Sequence, residues 1–175
     1  MSEMLLLVEP QIPALRRYAR ALIRDRDAAD DLVQDCLERA IGRWHQWRQE
    51  GNPRAWLFGI LHNLAMNRFA KRGPLCQVAI EDADESSLAR PAPQPDRIQH
   101  RDLLRALDQL NEAQRSVLLL VGVEDLSYAE AAKVLDVPIG TVMSRLSRAR
   151  EKLAQIMEGS AGDTPASQPV LRRIK

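Results

Sequence analysis

Aromatic residues make up only 4% of the 175 positions, and the chain has two cysteines, three histidines and eight glycines. With so few large flat side chains, the core must be filled by Ala, Leu, Val and Ile, a palette that leans towards helices. Cys36 and Cys76 lie far apart with no C-x-x-C pattern, so neither a disulfide framework nor a zinc site is suggested, and Cys36 is expected to serve as a small buried hydrophobe. His45, His62 and His100 have no nucleophile or carboxylate cluster beside them, and no Gly-rich phosphate loop is present. An enzyme, a metal centre, a cofactor site and a small-molecule substrate are therefore not expected. The longest apolar run, Val117 to Val123, falls short of a membrane span. Met4–Val8 is too short for a signal sequence, and Glu3 stands where a basic residue would belong. A cytoplasmic protein without membrane insertion is expected. Net charge is also lacking: 25 Lys and Arg face 24 Asp and Glu, for a sum of +1. Taken whole, that argues against a nucleic-acid binder.

The charges are sorted along the chain, however. Residues 25–38 hold six carboxylates against the single Arg26, whereas 54–73 hold Arg54, Arg68, Lys71 and Arg72 and no acid. Between 73 and 97 lie Gly73, Pro74, Pro91, Pro93 and Pro95 and the acidic run Glu81-Asp82-Ala83-Asp84-Glu85, the composition of a solvated linker. Residues 159–175 read as a flexible tail. Two helical domains remain, 1–72 and 98–158.

In the first domain, Leu15, Tyr18, Ala19, Leu22 and Ile23 share one face of a helix expected from Pro13 to about Arg24. A second helix, from about Asp27 to Arg43, turns Ala29, Val33, Cys36, Leu37 and Ala40 inward and Asp27, Asp30, Asp31, Asp35 and Glu38 outward. A third opens with Asn52 as N-cap and Pro53 at its first position and runs to about Arg72. In the second domain, Ile98–Leu110 is amphipathic, Asn111 caps a helix to about Val123, and Ser127-Tyr128-Ala129-Glu130 fits a capping box. That short helix ends near Leu135, a Pro-Gly turn follows, and a last helix extends to about Glu158. No segment alternates with period two. The fold is expected to be all-α, with a helix-turn-helix at its end.

On the last helix Val142, Leu146, Ala149 and Leu153 fall within a narrow inward arc, while Gly140, Ser144, Ser147, Arg148 and Glu151 point away, flanked by Thr141, Met143 and Arg145. Small and hydroxylic side chains let a backbone approach base edges, and Arg reads guanine bidentately. Arg145, Arg150 and Lys152 suit phosphates. On the third helix Trp56, Asn63 and Asn67 align, a set fit to stack on and hydrogen-bond an unpaired base, with Arg54, Arg68, Lys71 and Arg72 to hold the strand. Spacing alone leaves Trp44, Trp47 and Trp56 equally open to packing roles. The acidic second helix would repel DNA and faces either water or a basic protein.

Three segments resemble a known family: Asp30-Asp31-Leu32-Val33-Gln34-Asp35; Arg54-Ala55-Trp56-Leu57-Phe58-Gly59-Ile60 followed by Asn63-Leu64-Ala65; and Gly140-Thr141-Val142-Met143-Ser144-Arg145-Leu146-Ser147-Arg148-Ala149-Arg150. They are similar to the extracytoplasmic-function (ECF) sigma factors of bacteria over about residues 10–72 and 98–156. The resemblance implies two domains, called regions 2 and 4, and no catalytic residue. It implies that Asp31, Asp35 and Glu38 bind core RNA polymerase and that Trp56, Asn63 and neighbouring loop residues help melt and capture the promoter −10 element. It implies that Met143, Ser144, Ser147 and Arg148 read the −35 element, and that an anti-sigma factor is a partner. Met143 stands where many members carry Lys or Arg, and His62 where Arg is frequent. Ile12–Arg20 and Ile60–Leu64 look like proteobacterial members, some of which govern stress responses. About 24 linker residues reach roughly 80 Å, enough to bridge elements two DNA turns, about 70 Å, apart. A helix-turn-helix regulator binding duplex DNA without polymerase is the alternative reading. A third is a sigma-like decoy that titrates an anti-sigma factor, against which Arg145, Arg148 and Arg150 argue.

Overall fold

The computed structural model describes residues 2–23, 25–47, 51–72 and 103–161. The expected linker, the start of the helix placed from Ile98, His100 and most of the expected tail lie outside the described residues. Helices and tight turns account for the described chain, and no strand occurs in it.

Helix α1 (Ser2–Val8) runs through a one-turn 3-10 segment into α2 (Ile12–Leu22). The sequence reading left α1 out: a seven-residue helix has no stability of its own, and this one is held by Met4 and Val8, which are buried in the core. Asp25, rather than Asp27, marks the start of α3 (Arg26–Gly42), its carboxylate accepting the Ala28 N–H at 2.9 Å. Helix α4 (Pro53–Arg72) begins as expected, with Asn52 Oδ1 accepting the Arg54 N–H at 3.0 Å. The inward faces of α2, α3 and α4 meet around Leu15, Tyr18, Leu32, Leu57, Phe58 and Leu61, all almost fully buried. Tyr18 meets Phe58 edge to face at 5.3 Å. Cys36 is fully buried, its thiol contacts the Leu57 carbonyl at 3.5 Å, and burial pushes it up to about 12. It is the inert filler its spacing implied.

The second group comprises α5 (103–108), α6 (Glu112–Gly122), α7 (Tyr128–Leu135) and α8 (Ile139–Ala161). Both expected N-caps are complete capping boxes, Asn111 with Gln114 and Ser127 with Glu130. The buried Arg115 donates to the carbonyls of Leu107 at 2.9 Å, Asp108 at 3.0 Å and Leu110 at 3.1 Å. These bonds gather the carbonyls at the end of α5, one of which, that of Leu107, also accepts the Leu110 N–H at 3.2 Å. The turn between α7 and α8 is made by Asp136 in the left-handed region, φ 51°, a conformation short Asx side chains tolerate. Gly140, which the sequence placed in that turn, lies inside α8 with open space where a side chain would stand.

The two groups pack on each other, α2 against α6 and α4 against α7, and one continuous apolar cluster runs from Met4 to Ala149. Within it His62 Nδ1 lies 3.0 Å from the Tyr18 hydroxyl, and burial lowers the imidazole to about 4. Between about pH 6.5 and 4 the unfolded chain therefore binds a proton that the native protein excludes, so stability falls as pH drops through that window. Acidification from pH 7 to 5 is expected to remove about 2 kcal/mol through this residue. Urea midpoints at the two pH values test it, and a His62→Gln variant should lose that part of the slope.

Candidate nucleic-acid and polymerase interface

Helix α8 presents the face its sequence foretold. Val142, Leu146 and Ala149 are buried, with Leu153 half-buried beneath them. Met143 (52% exposed), Ser144, Ser147, Arg148 and Arg150 face solvent, with Thr141 and Arg145 half-buried at the margin. The Ser144 hydroxyl donates to the Thr141 carbonyl at 3.1 Å, leaving its oxygen free to accept. Beside this face a shallow cleft is lined by Tyr128, Met143, Leu146, Ser147, Arg150 and Glu151. Capping at Ser127 and the Asp136 turn set α7 across the base of α8, the arrangement by which a helix-turn-helix aims its second helix into a major groove.

Helix α4 splits the residues assigned to it. Asn63, Asn67 and Lys71 are exposed, and Arg72 closes the helix. Trp56 is half-buried rather than free: its ring lies 6.0 Å from that of Trp44, nearly perpendicular, and 6.5 Å from that of Trp47. Trp44 and Trp47 lie 4.8 Å apart, so the three tryptophans brace one another and the loop before α4. Arg68 donates to the Ala28 carbonyl at 2.7 Å, tying α4 to α3. Arg54 is turned inward, where its guanidinium meets the carboxylate and carbonyl of Glu124 and the side chain of Gln11. Spacing had grouped Arg54 and Arg68 with Lys71 as strand holders; in this structure both have internal partners. The acidic face of α3 is open, with Asp31, Asp35 and Glu38 exposed and Gln34 donating to Glu38 at 3.1 Å.

Glu124 is the residue the sequence reading missed. It follows an apolar run and precedes Asp125, so it reads as an ordinary loop acid. Its arginine partners are 70 and 107 positions away in sequence, and no local spacing carries that pairing.

Family comparison matches residues 8–62 to the Sigma2 domain of PhyR and residues 100–153 to Sigma-70, region 4. The ECF RNA polymerase sigma factor EcfG of Rhodopseudomonas palustris is 38% identical over 149 residues, 83% of this chain and 80% of the relative. The chain belongs to the ECF RNA polymerase sigma factors. The RNA polymerase sigma factor HrpL of Pseudomonas syringae is 36% identical, covering 85% of this chain and 84% of its own. Among solved structures, the sigma factor RpoE of Bartonella quintana, crystallised with the anti-sigma factor NepR, superposes with a TM-score of 0.71 at 37% identity, over 90% of this chain and 96% of that one. As a sigma factor the protein serves transcription initiation; α2, α3 and the first half of α4 lie in the region 2 match, and α5–α7 and most of α8 in the region 4 match. No helix among the described residues is long and apolar enough to cross a membrane.

The environments on α4 predict different costs for its substitutions. Trp56→Ala, which opens a gap in the tryptophan cluster, should lower stability by about 2 kcal/mol, less than for a fully buried ring. Asn63→Ala and Asn67→Ala should each stay within about 0.5 kcal/mol of the parent. Urea denaturation followed by circular dichroism measures all three.

Proposed function

We propose that this sigma factor docks on core RNA polymerase through the acidic face of α3, captures the −10 element with α4 and its preceding loop, and reads the −35 element with α8. The observation that carries the reading is the face of α8, where small, hydroxylic and guanidinium groups stand exposed over a buried Val142–Leu146–Ala149 seam. Arg148 and Ser147 at its centre suit base edges, with Met143 and Ser144 alongside and Thr141, Arg145 and Arg150 suited to phosphates. Asp31, Asp35 and Glu38 form the polymerase contact, since a carboxylate face finds no use on DNA.

On α4, Asn63 and Asn67 supply hydrogen bonds to an unpaired base and Lys71 and Arg72 supply charge to its strand, while Arg54 and Arg68 join them only on leaving their internal partners. Removing a base from the duplex costs a few kcal/mol in unstacking, which stacking on Trp56, worth about 1–3 kcal/mol, offsets. The chain supplies no catalytic group; phosphodiester synthesis belongs to the polymerase. Its place of action is the cytoplasm, and the domains are 1–72 and 98–158, joined by 73–97 and followed by 159–175. Likeness to the Bartonella RpoE, solved with NepR, supports an anti-sigma factor of that kind as the restraining partner.

The test is in vitro transcription with purified core polymerase and candidate promoters. Failure to bind core, or tight duplex binding by the isolated protein with no promoter-directed transcript, would favour the polymerase-independent regulator. Retention of anti-sigma binding without core binding would favour the decoy. Within the sigma reading, Arg148→Ala should cost about 1–3 kcal/mol at a matched −35 element and relax preference at one base pair, whereas Lys71→Ala should weaken all promoters alike and reduce the salt slope by about 1. Reversing Asp31 and Asp35 to Lys should weaken core binding, most sharply at low salt.

A further inference from the structure

Past its first turn, the exposed side of α8 carries one large apolar side chain. Met143 stands 52% exposed among Ser144, Ser147, Arg148 and Arg150, whose exposed side chains are hydroxylic or cationic. Tyr128, the first residue of α7, is exposed as well. The two line one shallow cleft, with the buried Leu146 as its apolar floor and Ser147 and Arg150 among its other lining residues. Glu151 lines it too, eight residues or about 12 Å along α8 from Met143. That carboxylate repels phosphate, so the Met143 end is the part of the cleft suited to face a duplex.

A thioether forms no hydrogen bond of consequence with a base edge. What it can recognise in a major groove is apolar, and the groove offers one such group, the 5-methyl of thymine. Reach is provided for. Gly140 leaves open space where a side chain would stand, and Ser144 is short, so the backbone can come close while the long, flexible Met143 extends beyond it. The cleft is too shallow for an apolar helix. An apolar protein segment laid across this face would also desolvate Arg148 and Arg150, whereas DNA supplies guanine edges and phosphates for both.

We propose that Met143, with Tyr128 as the second wall of its cleft, reads the 5-methyl group of a thymine in the −35 element. One T·A pair of the element is then recognised through apolar contact rather than through a hydrogen bond. The proposal rests on the reading of α8 as the −35 helix and adds the base class that Met143 selects. Tyr128 is a positioning residue: it limits the rotamers open to Met143 and shields the methyl contact from water.

The experiment uses holoenzyme made from core polymerase and the full chain, as wild type, Met143→Ala, Met143→Leu, Met143→Arg and Tyr128→Ala, each checked for native helicity by circular dichroism. Wild-type holoenzyme first selects promoters from a library randomised at the −35 element. The best of them is then remade with deoxyuridine, which pairs as thymine does but lacks the methyl, at each thymine of either −35 strand in turn. Wild type should bind one such duplex about three- to fivefold more weakly than the parent, the worth of one buried methyl. Met143→Ala should bind both duplexes alike, and Met143→Leu should keep the discrimination. Met143→Arg should shift the preference at that position to G·C. Tyr128→Ala should reduce the discrimination without changing the preferred base pair, and full discrimination by that variant overturns the part given to Tyr128. A selected −35 element without a T·A pair, deoxyuridine tolerated at every position, or discrimination that survives Met143→Ala overturns the proposal. Wild-type holoenzyme that selects no −35 sequence at all overturns the reading of α8 instead.

Discussion

Burial of one carboxylate governs how the parts of this molecule are put together. Glu124 has lost all contact with water, and the loss is made good by guanidinium groups from two helices of the other region, one of them bidentate. Charge-assisted bonds of that kind are short and directional, so they fix the register of α6–α7 on α2–α4 in a way that apolar contact between smooth Ala- and Leu-rich faces would not. The remaining features of the interface follow: Phe58 lies beneath Arg54, Gln11 accepts from its guanidinium, and Glu130 in the first turn of α7 is bonded to Asn52 at the start of α4.

Much of the architecture could be read from the sequence because it is written in local chemistry. Asn52 followed by Pro53, Asn111 with Gln114, and Ser127 with Glu130 each satisfy orphan N–H groups at a helix start, and such signals lie within four residues of one another. The inward arc of α8 was equally plain, since a seam at positions 142, 146 and 149 needs only helical periodicity. Helix α1 was not legible, because its stability lies in the contacts of Met4 and Val8 with a core that the sequence does not display. The roles of Arg54 and Arg68 were half legible. Their charge pointed to a strand of nucleic acid, and that charge serves Glu124 and the Ala28 carbonyl in this structure. The pairing of residues 17 and 124 has no local signature at all.

The segregation of charge acquires a spatial meaning in the fold. Carboxylates line the outer face of α3, and α8 and the end of α4 carry exposed cations, as do α2 and both ends of α3. The near-zero sum of +1 is thus a balance between surfaces of opposite sign. Such a balance limits net long-range attraction to DNA while each surface keeps its own local field.

Asn52 shows how such a joint is made. Its carbonyl oxygen caps α4, while its amide nitrogen reaches the carboxylate of Glu130. Glu130 in turn completes the capping box with Ser127 at the start of α7, and these bonds hold its carboxyl below the usual range. Each of the two residues thus gives one end to its own helix and the other end to its neighbour. Loss of the bond between them would leave both helices with their own caps. The contact between α4 and α7 is therefore added to two helix starts that are each already complete.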